Sequence, residues 1–410
     1  METIDAYSEV ERTARESYGR LVAYLAARWR DLAAAEDAMG DALLAALETW
    51  PRQGIPAKPE SWLLTAASRR LVDRARHTRI AAGAVPDLVA LSQEARHWSS
   101  KGKSFPDERL NMLFLCAHPE IDPASRTPLM LQTVLGVNAE RIASVFLVKP
   151  AAMGQRLSRA KAKIREQRLS FDLPDETELP VRLSSVLEAI YAAYGSGWEE
   201  TAGADARRRG LAEEAIFLCR LIVAAMPGEP EAAGLLSLML HGEARRPARR
   251  NERGEYVPIL EQNTALWSRT MMEEAERCLR QAARTGRLGR FQLEAAIQSV
   301  HAQRAVTGRT EWEEIALLYE GLARFAPTVG VRVGQAAAVA EARGAEQGWA
   351  LLGALPREAV RGYQPYWATA GHLLKRLGRL QEAREAYSLA IGLAADPSVR
   401  EFLKRQSASE

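Results

Sequence analysis

The chain has 410 residues, 26% of them charged, and a formal net charge of +3; that is room for two or three domains, each with its own core. Ala, Leu, Arg and Glu dominate and Val-Ile-Thr alternation is scarce, so an all-α fold is expected. Cys116, Cys219 and Cys278 lie far apart with no CxxC pair. This argues against a disulfide framework or structural zinc site and points to a reducing cytoplasm. Up to Ser170 there are about 25 Lys+Arg against about 20 Asp+Glu, and beyond it about 30 against about 32. Any nucleic-acid contact is therefore expected in the first part of the chain.

The opening residues, METIDAYSEVERTARE, carry charges where a signal peptide has an apolar core. No apolar run is long enough for a bilayer span, so a cytoplasmic location without membrane contact is expected. Residues 5–30 read as an amphipathic helix with Tyr18, Leu21, Val22 and Leu25 on one face. Asp31 is placed to cap a second helix, in which Ala38, Ala42, Leu44 and Leu47 are expected inside and Glu36, Asp37, Asp41 and Glu48 outside. Such an acidic face suits a protein partner, because DNA phosphates would repel it; a merely solvated face carries the same signature. Trp50-Pro51 is expected to end this helix, and PRQGIPAKP to form a loop whose course its prolines fix. A third helix opens near Ser61, with Trp62, Leu63, Ala66 and Leu71 apolar and Arg69, Arg70, Arg74, Arg76 and Arg79 opposite. An aromatic beside such arginines suits unpaired bases and their phosphates, although Trp62 also fits a core position. Residues 81–106 read as a linker rich in Gly, Ser, Pro and Lys toward its end.

A second helical segment, 107–170, closes with two helical patterns around Val148-Lys149-Pro150. Proline disfavours helix in the residue before it and suits the first turn of the next. In the final pattern Met153, Leu157, Ala160 and Ile164 recur at helical spacing, while Arg156, Arg159, Lys161, Lys163 and Arg165 supply cations. An apolar seam with a basic outer face lets a helix pack on its domain and lie on a phosphate backbone; a solvated basic face again fits the same residues.

Beyond Leu179 short helices carry small residues at regular offsets. In YWATAGHLLKRLGRLQEAREAYSLAIGLAADP the residues Trp367, Gly371, Leu374, Ala383, Tyr387, Ala390 and Pro397 fall close to the tetratricopeptide pattern. Echoes occur at Ala215, Cys219, Ile222 and Pro227, at Ala275, Leu279 and Ala282, and at Tyr319, Leu322 and Pro327. Stacked helix pairs of this kind form a solenoid with a surface suited to peptides or proteins. The stretch GEARRPARRNERGEYVPILEQN, holding Arg245, Arg246, Arg249, Arg250 and Arg253, reads as an inserted loop, solvated or paired internally in preference to touching nucleic acid. No phosphate loop, HExxH pair or nucleophile elbow occurs, and the six histidines are scattered. Neither an enzyme activity, a cofactor nor a metal site is expected.

The run AEDAMGDALLAALETWP, followed by GIPAKPESWLLTAASRRLVDRAR, resembles conserved region two of extracytoplasmic-function (ECF) sigma factors of the sigma-70 family. DERLNMLFLCAHPEIDP and RIASVFLVKPAAMGQRLSRAKAKIRE are similar to the linker end and region four of one subgroup, in which a tetratricopeptide-like extension follows. ARRPAR, FQLEAAI and LLKRLGRLQEAREAY are similar to that extension. The resemblance implies an all-α chain: a region 2-like domain over 5–80, a linker over 81–106, a region 4-like helix-turn-helix domain over 107–170 and a helical extension over 179–405. It implies a promoter-specificity subunit whose partners are core RNA polymerase, promoter DNA and a regulatory protein bound by the extension. Asp37, Asp41 and Glu48 would dock on polymerase. Arg52, Lys58, Trp62, Arg69, Arg70, Arg74 and Arg76 would bind and open the −10 element. Gln155, Arg156 and Arg159 would enter the major groove at the −35 element, with Arg141, Lys149 and Lys163 on phosphate. The chain departs from the pattern at Gly40, where the family usually has Gln, at Ala117, where a second cysteine is common, and at Gly154 inside the recognition helix. GSGW (195–198) and LEQNTALWSR also differ from the family's usual runs. The alternative is a helix-turn-helix regulator with a tetratricopeptide sensor that never joins polymerase.

Overall fold

The computed structural model describes residues 2–77, 107–146, 148–175, 177–198 and 206–408. Among them the secondary structure is helical, with one isolated antiparallel bridge between Arg250 and Tyr256 and no strand. The expected linker, 81–106, and Arg79 lie outside the described residues. The chain divides into two compact units, Met1–Gly197 with Arg209–Leu218, and Trp198–Arg208 with Cys219–Glu410.

The first unit begins with α1 (Glu2–Trp29), α2 (Leu32–Gln53) and α3 (Pro59–His77). Arg30 turns left-handed (φ 52°) after α1, and the Asp31 carboxylate accepts the Ala34 N–H, capping α2 as expected. The inner stripe of α2 is Leu32, Ala35, Ala38, Met39, Ala42, Ala46 and Trp50. Leu44 belongs elsewhere: it lies 200° around the helix from Ala42 and is 61% exposed, while Leu47 is half-buried, so neither completes the core face expected of them. Pro51 does not end α2, which runs to Gln53. So close to the terminus a proline costs little more than one backbone bond, and Gly54 (φ 87°) closes the helix by donating to the Trp50 carbonyl at 3.0 Å. α3 buries Leu63, Leu64, Ala67, Leu71 and Val72, whereas Trp62 and Ala66 are half-buried at its margin. Glu60 in its first turn accepts from Ser17 and Arg20 of α1, fixing where α3 begins.

α4 (Arg109–Cys116), α5 (Pro123–Thr133), α6 (Ala139–Val145) and α7 (Pro150–Glu166) follow. Asp122 and Asn138 cap α5 and α6 through their side-chain oxygens, and Pro150 takes the first turn of α7. The seam of α7 is the expected one, with Met153, Leu157, Ala160 and Ile164 all buried. Gly19 of α1 lies flush against the backbone at Val134, where a Cβ would come within 1.8 Å of the carbonyl oxygen. α8 (Leu179–Trp198) is helical through GSGW, and α9 (Ala206–Ala225) follows. Within the first unit, Arg109 is 6% exposed, chelates Asp107, pairs with Glu214 of α9 and stacks 4.7 Å from the Phe217 ring centre.

The second unit holds α10 (Pro230–Ala244), α11 (Arg269–Ala283), α12 (Arg290–Thr307), α13 (Trp312–Phe325), α14 (Val329–Arg343), α15 (Ala345–Gly353), α16 (Arg357–Val360), α17 (Gln364–Arg376), α18 (Leu380–Leu393) and α19 (Pro397–Ala408). Successive helices pack on one another, α10 on α11, α14 on α15 and α17 on α18 among them. Small residues set the spacing: a Cβ on Gly371 would sit 2.9 Å from the Tyr387 ring, and one on Gly348 would sit 2.4 Å from Ala340. The Arg-rich insertion is paired internally. Arg246 bonds Glu243, and Arg250 bonds Asp396, Ser398 and the Gly254 carbonyl. Tyr256 stacks edge-on against Phe402 of α19.

Candidate nucleic-acid interface

Helical periodicity sets Asp37, Asp41 and Glu48 on one exposed face of α2, with Leu44 among them. An apolar side chain inside a ring of carboxylates is the pattern of a protein-docking surface. Glu36 behaves differently from its expected outward orientation. One residue from Asp37 it is turned about 100°, toward α7, where its carboxylate meets Lys161 Nζ at 2.5 Å with both side chains largely buried. Burial pushes the Glu36 carboxyl above its ordinary range, Lys161 pulls it back and Asp37 adds to the rise.

On α3, Arg69 and Arg70 are exposed, and Arg74 Nη1 donates to Asp37 Oδ2 at 2.9 Å. That pair joins a residue expected at DNA to one expected at polymerase. The hydrogen bond that Arg74 donates to Asp37 raises the Arg74 pKa, but both partners are more than half exposed, so the pair is readily exchanged. The Arg76 side chain lies outside the described ones. Arg52, in the last turn of α2, and Lys58, before α3, are exposed. Trp62 packs edge-on against Trp50, ring centres 5.6 Å apart and planes at 74°, and remains half-buried.

On α7, Gln155 and Arg159 are exposed, and Arg156 is half-buried with Nη1 3.4 Å from the Ala124 carbonyl. Lys163 faces Glu120 at 3.2 Å. Lys149 is exposed just before the helix, and Arg141 sits in the first turn of α6. Beside Lys161 a cleft of about 320 Å³ is lined by Ala33, Glu36, Asp37, Ser158, Lys161, Ala162 and Arg165. The structure thus brings together α2 and α7, which the sequence reading assigned to separate partners. No sequence signal marks the Glu36–Lys161 pair, whose members lie 125 residues apart.

Among the described residues no group of three or more side chains could hold a metal. None of the described helices is long and apolar enough to cross a membrane. The Cys116 thiol is buried against Thr133, and burial pushes its pKa up to about 12, so it is held as the unreactive thiol.

Residues 14–80 match Sigma-70 region 2, which supports a sigma factor of the sigma-70 family. Residues 182–283 match a Family of unknown function (DUF6596). The chain belongs to the same family as an uncharacterized protein of Rhizobium meliloti (strain 1021), to which it is 35% identical over 395 residues, covering 95% of this chain and 92% of that protein. No solved structure matches.

Proposed function

We propose that this chain is an ECF-type sigma factor with a helical-repeat extension, acting in the cytoplasm as a specificity subunit rather than as an enzyme. The observation that carries the reading is the coincidence of the Sigma-70 region 2 match with α1–α3, where exposed acids of α2 adjoin exposed arginines of α3. Polymerase would dock on Asp37, Asp41 and Glu48 around Leu44. Arg52, Lys58, Trp62, Arg69, Arg70, Arg74 and Arg76 would take the −10 strand, bases stacking on the open part of Trp62 while cations hold phosphates. In the 107–170 segment, α6 and α7 would act as a helix-turn-helix, with Gln155, Arg156 and Arg159 on base edges and Arg141, Lys149 and Lys163 on phosphates. Strand opening would draw on binding energy alone, by capture of unpaired bases. The tetratricopeptide-like extension, 179–405, would hold a regulatory protein.

The test is transcription by the full chain with purified core polymerase on genomic promoter fragments. Specific initiation that requires the chain is expected. Sequence-specific duplex binding without any initiation would replace this reading with that of a regulator acting apart from polymerase.

A further inference from the structure

Each acid of α11 is already engaged. Glu273 meets Arg269 at 2.8 Å, Glu274 meets Arg220 at 2.8 Å, and Glu276 accepts from Ser299. Arg277, Arg280 and Arg284 are thereby left exposed, with no ion pair among the described residues. At 100° per residue the three fall within about 60° of the helix circumference and spread over about 10 Å of its length. Arg284, at the C-cap, keeps helical backbone (φ −63°, ψ −20°) and so stays on that line. By contrast, exposed Arg343 pairs with Glu313 and exposed Arg405 with Glu255.

A cation in the last turn answers the helix dipole, which accounts for Arg280 and Arg284. Arg277 stands more than a turn before the end of the helix, where the dipole does not reach. The centre of a protein interface holds large apolar or aromatic anchors, yet no large apolar side chain of α11 is exposed. Phosphates fit better. Three successive phosphates of one strand advance about 7 Å along duplex DNA, within the reach of three guanidiniums so spread. The planar guanidinium also pairs with phosphate through two parallel hydrogen bonds.

We infer that this arginine face of the extension lies on the phosphate backbone of the duplex upstream of the −35 element, adding affinity without reading sequence. The inference rests on the proposed function. DNA held by the 107–170 segment is presented to the extension of the same chain at high effective concentration, and the upstream flank is duplex that neither proposed DNA surface occupies.

The test uses the full chain with core polymerase and two promoter fragments. One ends at the −35 element, and the other continues upstream by about three helical turns, roughly 30 base pairs. R277Q/R280Q/R284Q should bind the long fragment more weakly, with the slope of log affinity against log salt reduced by about 2.7. Its affinity for the short fragment and its helicity by circular dichroism should match the parent's. R277K/R280K/R284K, which keeps the charge, should behave as the parent on both fragments. If the glutamine triple fails to fold, R277Q alone decides, with an expected slope reduction of about 0.9. An unchanged slope on the long fragment, or equal losses on both fragments, overturns the inference. Weaker binding of the glutamine variant to polymerase itself overturns it in favour of an acidic protein surface. Normal retention of both fragments with no effect of the substitutions defeats the arginine face alone, whereas retention of neither fragment by the parent complex defeats the sigma reading itself.

Discussion

Gly154 sits within α7, and a Cβ there would meet nothing within 4 Å. Glycine in a helix interior costs about 1 kcal/mol relative to alanine, so Gly154→Ala should stabilise the first unit by about that amount, seen as a rise in its calorimetric transition. Arg109 is the opposite case. Its guanidinium joins Asp107, Glu214 and the Phe217 ring, and Arg109→Ala should cost about 2–3 kcal/mol by leaving two carboxylates without their cation. The same contact has a pH signature. Burial alone would raise the Asp107 carboxyl, but the Arg109 hydrogen bonds outweigh it and hold it below 3.8. A depressed carboxyl stabilises the folded state above its unfolded pKa and loses that stability as pH falls through the folded value. Acid unfolding of R109A should therefore show a shallower pH dependence below about pH 4 than that of the parent chain.

At the scale of the element, the base contacts proposed for α7 and the phosphate contact proposed for Lys149, just before it, predict different outcomes. Gln155→Ala and Arg159→Ala should each cost about 1–3 kcal/mol on the cognate −35 sequence and relax the preference at one position. Lys149→Ala should weaken every duplex alike and reduce the salt slope by about one. Footprinting across a salt series distinguishes the two behaviours. On α2, Leu44 is the one large apolar side chain that the acidic face exposes among Asp37, Asp41 and Glu48. Leu44→Asp leaves the core untouched and should weaken core-polymerase binding at least tenfold, about 1.4 kcal/mol, with helicity by circular dichroism unchanged. If Leu44→Asp binds polymerase normally, the acidic face is a solvated one.

For the whole molecule, the second unit is tied end to end by polar contacts of very long sequence separation. Arg250, in the insertion, bonds Asp396 and Ser398, 146 and 148 residues away, and Arg405 bonds Glu255. Successive helices of this unit pack mainly on their neighbours, so such a strap makes the last helix depend on an insertion much earlier in the chain. Arg250→Ala should speed amide exchange in α19 while leaving α13 and α14 unchanged, measured by hydrogen exchange with mass spectrometry. Equal exchange in Arg250→Ala and the unsubstituted chain would mean that the strap carries no stability.

Much of the local architecture was legible in the residues. The 3.6-residue period placed Met153, Leu157, Ala160 and Ile164 inside α7, Asp31 marked the start of α2, and the absence of strand patterning matches a helical chain. These features depend on neighbours within one or two turns, so sequence alone determines them. Leu44 departs from its expected place because an Ala-rich helix offers several stripes of similar hydrophobicity, and only the approach of α1 and α3 selects the one that is buried. The local pattern turns Glu36 toward solvent for the same reason: its partner Lys161 arrives from a helix 125 residues later. Likewise, Arg250 of the insertion is as compatible with solvent as with a partner until folding brings Asp396 and Ser398 to it. Charge complementarity at a distance is written in no local pattern. It is decided when tertiary packing chooses which exposed charge each helix presents to the next.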